Sequence, residues 1–220
     1  MHYHLPDHIS FGLIGERAVV LDAVADRYYL LAGHETRLFG SLDSVPENAM
    51  RADRLTSRGL LARGAGREIA AVVACERTGS ALESPGGLAG IGAWEVGRTR
   101  LEASLSLRLR GLAPTIERWR RLRARWLESA ERGRPIGVAH DIGDLARGFA
   151  KARLYVPARR RCVPDSLALM CSLWRSGHDA DLYFGVRLAP FAAHCWVQRD
   201  DLLLSDPLDI VREFTPVFRL

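Results

Sequence analysis

A chain of 220 residues, 48% hydrophobic and 26% charged, has the composition of a soluble globular protein with room for one large domain or two small ones. No apolar run approaches the ~20 residues that span a bilayer, and the start, MHYHLPDHISF, lacks the basic segment and apolar core of a secretion signal. The net charge of +5 is almost wholly arginine, with Lys151 the only lysine, and a GC-rich genome produces the same bias, so charge alone does not argue for nucleic-acid binding.

Residues 1–73 read as a first domain. Ile9 to Ile14 is a strand pattern, Gly15-Glu16 a turn, Arg17 to Asp22 a second strand, Ala25-Asp26 a turn, and Arg27 to Leu31 a third strand. Gly33 then opens a helix containing Leu38, Phe39 and Leu42. Pro46 fits the first turn of another, and a third helical piece ends near Gly59. Three strands followed by three short helices is a small winged-helix-like arrangement. Its last helix carries Arg51, Arg54 and Arg58 but also Asp53, and so lacks the dense basic face of a DNA reader.

Residues 74–92 are rich in Gly, Ala and Ser and read as a linker. Ile69 to Val73 fits either a closing strand or a helix start. From residue 93 the pattern is helical. Trp94, Val96, Leu101, Leu105 and Leu109 form one expected core stripe, and Ile116, Trp119 and Trp126 another. Arg118, Arg120, Arg121, Arg123 and Arg125 crowd the other face of the second helix and read as solvated. Pro135 to Ala152 suggests a further helix, with Asp141 or His140 near its start. The segment after Asp206 reads as one or two closing strands. The expected class is therefore α+β: a winged-helix-like domain, then a second α+β domain over 93–220.

The chemistry concentrates between Cys162 and Asp206. Pro164 and Asp165 fit the first turn of a helix that continues through Leu167, Leu169, Met170, Leu173 and Trp174. Cys162 thus falls at a helix N-terminus, where the dipole favours negative charge on sulfur and free N–H groups can receive an oxyanion. Asp181 to Leu188 and His194 to Arg199 read as strands, Asp200-Asp201 as a turn and Leu202 to Leu204 as a returning strand. Hairpin pairing then sets His194 opposite Asp206 or one residue off, so spacing predicts a His–carboxylate contact. Such a contact orients a catalytic imidazole. It is also common as a purely structural pair. Cys171 and Cys195 fit buried core positions, Cys195 on the strand face away from His194. The cysteines show no zinc-type spacing, and without a secretion signal they fit reduced thiols in a cytoplasm.

The pattern C-x-x-x-S-L-A-L at Cys162, G-H-x-A-x-L-x-x-G-V from Gly177, P-F-x-A-H-x-W-V from Pro190, and Asp206 resembles the leader-peptidase domain of lasso peptide biosynthesis B proteins. That family resembles transglutaminases and papain-like proteases in fold. The resemblance implies Cys162 as nucleophile, His194 as base and then acid, and Asp206 as the orienting carboxylate. Cys195 departs from the family pattern, where Ala is more usual.

Within residues 1–73, V-V-L-D-x-x-x-x-R-Y-Y-L-L-x-G with a terminal R-G-L-L resembles the precursor-recognition domain related to the pyrroloquinoline-quinone chaperone. The resemblance implies that a leader peptide adds as a strand in a groove lined by Arg27, Tyr28, Tyr29 and Leu30, with Leu55 and Arg58 opposite. Tyr28 and Tyr29 face opposite ways on a strand, so only one can face that groove.

The resulting expectation is a cytoplasmic cysteine endopeptidase that cleaves a leader from a ribosomally made precursor. It is expected to bind no cofactor, metal, nucleic acid or membrane. Its expected partners are the precursor and a separate ATP-dependent macrocyclase, through which ATP would affect activity. Acyl transfer of the transglutaminase type and a non-catalytic precursor-binding scaffold stand as alternatives.

Overall fold

A computed structural model describes residues 3–31, 33–37, 46–131 and 141–220. The chain is α+β and divides into two compact units, one of 1–73 with 215–218 and one of 74–214 with 219–220.

The first unit contains β1 (Tyr3–His4), β2 (Ile9–Ile14), β3 (Arg17–Asp22), β4 (Arg27–Leu30), α1 (Gly33–Thr36), α2 (Pro46–Ser57) and β5 (Ala62–Arg63). β2, β3 and β4 form an antiparallel sheet in that order, and β1 pairs with β5. Gly15 and Asp26, at positive φ, close the two hairpins. Ile9, Phe11 and Val20 from the sheet pack with Ala52 and Leu55 of α2 and with Leu60. The two helical pieces expected between Pro46 and Gly59 are one helix, α2, which ends just before Gly59 at φ 72. Leu38, Phe39 and Leu42 lie outside the described residues. Ile69 to Val73 is neither strand nor helix: it runs irregularly, held by the Val72 amide on Phe11 at 2.8 Å and by Ile69 and Ala71 against the core.

The second unit begins with β6 (Gly79–Ser80), followed by α3 (Ala93–Arg110), α4 (Leu112–Glu131), α5 (Ile142–Leu154) and α6 (Cys162–Arg175). Then come β7 (Asp181–Leu188), β8 (Phe191–Arg199), β9 (Leu202–Leu203) and α7 (Leu208–Arg212); the last strand, β10 (Thr215–Arg219), falls for 215–218 in the first unit. Within this unit the strands neighbour one another in the order β7-β8-β9-β6. Helix α6 packs on α3, α4, α5 and β8 and is buried along most of its length, as its continuous apolar sequence requires. Trp119 of α4 is fully buried against it and donates its indole N–H to the Leu167 carbonyl at 3.0 Å.

Three expectations change here. The 74–92 stretch is folded rather than a linker: β6 pairs in parallel with β9, and Ala81 and Ala89 are buried. Its small residues allow close packing, and a Cβ on Gly86 or Gly87 would collide with Arg147 or Asp144 of α5. Segment 208–212 is the helix α7, not a strand. Of the stripe expected to bury α3, Val96 is buried, but Trp94, Leu101, Leu105 and Leu109 face outward, Trp94 83% and Leu109 77% exposed. The buried face carries Val96, Thr99, Arg100, Ala103 and Ser106. Pro135 to His140 lie outside the described residues, while Asp141 caps α5 by accepting from the Gly143 and Asp144 amides at 2.8 and 3.3 Å. Among the described residues no helix is long and apolar enough to cross a membrane.

Candidate active site

Cys162 is the first residue of α6, following Arg161, whose extended backbone ends the incoming segment. The first turn of a helix has no intrahelical partners for its amides. Pro164 has no N–H, so the amides of Cys162 and Val163 are the donors available at this end.

The start of α6 is pinned by Asp165. Its Oδ1 accepts from Nε of Arg100 at 2.5 Å and of Arg153 at 2.8 Å, and its Oδ2 from the Arg161 amide at 3.0 Å. Both arginines are nearly buried, and they also donate to the carbonyls of Arg159 (from Arg100) and of Val156 and Ala158 (from Arg153). One carboxylate thus ties α3, α5 and the approach to Cys162 to the first turn of α6. Burying two guanidinium groups is tolerable only because each is paired and hydrogen-bonded.

His194 lies on β8, across from Gly185 of β7. The hairpin turns at Asp200, at φ 52, and pairs Gln198 with Leu203 and Arg199 with Leu202. The regular strand ends there, and the chain carries Asp206 back so that Oδ1 lies 3.0 Å from Nε2 of His194. The spacing-based contact is present, with the short β9 followed by an irregular segment rather than a full ladder. Phe214 and Trp196 pack on the imidazole at 5.3 and 6.5 Å between ring centroids. Trp196 is itself fixed by its N–H to Gln198 Oε1 at 3.1 Å and by stacking on Tyr183.

Burial pulls the His194 pKa down. Hydrogen bonds to Asp206 and to Cys162, with the negative charge of both, outweigh that effect and raise it from 6.5 to about 9. At neutral pH the ring therefore carries its proton. Nε2 is committed to Asp206, which leaves Nδ1 for the thiol.

The remaining cysteines differ. Burial pushes Cys171 up to about 12 and Cys195 well above the ordinary thiol range, so both are neutral core thiols. Cys195 is buried, as expected of a core position, and is also among the residues that line the cleft. Cys75 is exposed. Among the described residues no group of three or more His, Cys, Asp or Glu could hold a metal.

Two serines absent from the sequence reading support Asp206. Ser205 donates its hydroxyl to Oδ2 and accepts from the Val197 amide at 2.8 Å, while Ser80 donates to the Asp206 carbonyl at 2.8 Å. Ser80 was hidden because it sits in the stretch that reads as linker. Arg100 was hidden because it interrupts the wrong-facing stripe of α3.

Cys162, His194 and Asp206 open on one cleft of about 730 Å³. Its walls include Leu82, Phe149, Leu154, Leu169, Leu204 and Ile210.

The other predicted residues lie in the first unit. β4 is an edge strand of its sheet. Arg27 and Leu30 are exposed and Tyr28 is half-buried. Tyr29 packs on the core, with Arg58 5.8 Å over its ring, and Arg58 also pairs with Glu35 at 3.3 Å. Leu55 cannot line a groove: it is fully buried on the inner face of α2.

The chain matches the transglutaminase-like superfamily over residues 103–219, more than half its length, and belongs to that family. The matched segment contains Cys162, His194 and Asp206. Members of this superfamily are typically cysteine-based enzymes. No curated relative and no solved structure matched the chain.

Proposed function

We propose that the protein is a cysteine endopeptidase that removes the leader from a ribosomally made precursor peptide during lasso peptide maturation. The observation that carries this reading is Cys162 at a helix start, opening on the same cleft as an imidazole whose Nε2 lies 3.0 Å from Asp206.

In this mechanism the sulfur of Cys162 attacks the carbonyl at the leader–core junction. The oxyanion is received by the amides of Cys162 and Val163. His194 gives its proton to the leaving amine, which departs as the N-terminus of the core. A water, deprotonated by His194, hydrolyses the thioester and releases the leader carboxylate. No cofactor enters these steps. The first unit supplies the leader site by strand addition at the β4 edge, through Arg27, Leu30 and Arg58 with one of Tyr28 and Tyr29. Tethering the leader there raises the local concentration of the scissile bond. A separate ATP-dependent macrocyclase takes the freed amine, and the reaction belongs in the cytoplasm.

The superfamily match equally supports acyl transfer, in which an amine takes the thioester in place of water. The test is the mass of the products from the full chain and the short precursor encoded beside its gene. Peptidase action adds one water across two fragments cut at a single junction, and the partner cyclase with ATP raises the yield. Loss of ammonia with no new fragment would assign acyl transfer instead. Binding without any covalent change would reduce the chain to a scaffold.

A further inference from the structure

The charge around the cleft is lopsided. Its two lining carboxylates are both engaged, Asp165 by Arg100 and Arg153 and Asp206 by His194 and Ser205. Lys151, Arg160 and Arg161 also line it, all exposed, and among the described residues none has a carboxylate partner. They come from α5 and from the segment leading into Cys162. The segment from Leu204 to Ile210, with Leu82, contributes only the engaged Asp206 as an ionisable lining group. The cleft thus offers apolar surface beside three uncompensated cations. Such an arrangement is solvated in the free protein and gains most from a ligand that brings both an apolar group and negative charge.

We infer that the cleft selects an acidic peptide segment, with a carboxylate side chain held by Lys151, Arg160 and Arg161 next to an apolar side chain in the cleft. This deepens the peptidase reading and rests on it. In an extended peptide neighbouring side chains point to opposite sides, so one segment can present both at adjacent positions. The three cations are then specificity residues that hold the substrate beside Cys162 without taking part in the bond changes.

The test uses the full chain as Cys162→Ala and three fluorescein-labelled decapeptides of alternating Leu–Glu, Leu–Gln and Leu–Lys, read by anisotropy. The Leu–Glu peptide binds about tenfold tighter than Leu–Gln, and the advantage shrinks as salt rises. Adding Lys151→Glu and Arg160→Glu, both at exposed positions, turns the preference toward Leu–Lys. Equal binding of the three peptides, or an acidic preference that survives the reversal, overturns the inference. Wild-type protein is then incubated with the precursor encoded beside its gene, with the partner cyclase and ATP. An acidic preference in the binding assay with a precursor that stays uncut leaves the preference standing and counts against the peptidase reading alone.

Discussion

Ser205 donates its hydroxyl to one oxygen of Asp206 while the other oxygen lies 3.0 Å from Nε2 of His194. The carboxylate is held from both sides, so the imidazole has one orientation to adopt. Ser205 acts through Asp206 as a positioning residue. Ser205→Ala is expected to lower cleavage about tenfold, the size of one charge-assisted hydrogen bond, with little change in KM. Its distinguishing sign is a shift of the alkaline limb of the pH–rate profile, which Ser205→Thr restores. A loss of rate with an unmoved limb would mark the role as structural.

The raised pKa of His194 also sets a pH dependence. The folded state holds this proton up to about pH 9, whereas a free histidine releases it near 6.5. Stability from the site is therefore fully present below about pH 6.5 and is lost as pH rises through about 9. Cleavage is expected to fall over the same alkaline range as the general acid loses its proton. In Asp206→Asn the charge that helps raise the pKa is gone, and the limb moves to lower pH. An NMR titration of the His194 ring checks the assignment, and an unchanged midpoint in Asp206→Asn would contradict it.

Asp165 joins two nearly buried arginines to the start of α6. Removing it strands both charges. Asp165→Ala is expected to destabilise the protein by about 3–5 kcal/mol, because the penalty comes from the unpaired partners. Urea unfolding of the full chain measures it. A loss below about 1 kcal/mol, the value of an exposed pair, would show that water reaches the network.

The sequence revealed the strands of the first unit, the helix at Cys162 and the β8–β9 hairpin because each has a strong local signal: alternation, a Pro–Asp helix start, an Asp–Asp turn. It misjudged α3 for an equally physical reason. The helical period was right, yet periodicity does not say which face is buried, and Arg100 must turn inward to reach Asp165. It misjudged 74–92 because small residues mark both loose chain and tight packing. The family resemblance puts Leu55 in a groove, while its burial follows from the apolar spacing of α2 itself. Ser80 and Ser205 carry no sequence signal, since their role appears only when distant segments meet.

The facing of α3 has its own check. Leu105→Gln, on the exposed stripe, is expected to change stability by no more than about 0.5 kcal/mol. Trp119→Ala, in the core against α6, is expected to remove about 3–5 kcal/mol. Comparable losses for the two would mean that the stripe is covered in the working protein.

The central claim is that the sulfur of Cys162 forms a bond to the substrate. Acid quench of the full chain during reaction with its precursor, followed by intact-protein mass, reads this directly. The account predicts a species heavier by the acyl leader, located on the fragment containing Cys162 and absent from Cys162→Ala, which also yields no free core. Undiminished release of core peptide by Cys162→Ala would contradict it.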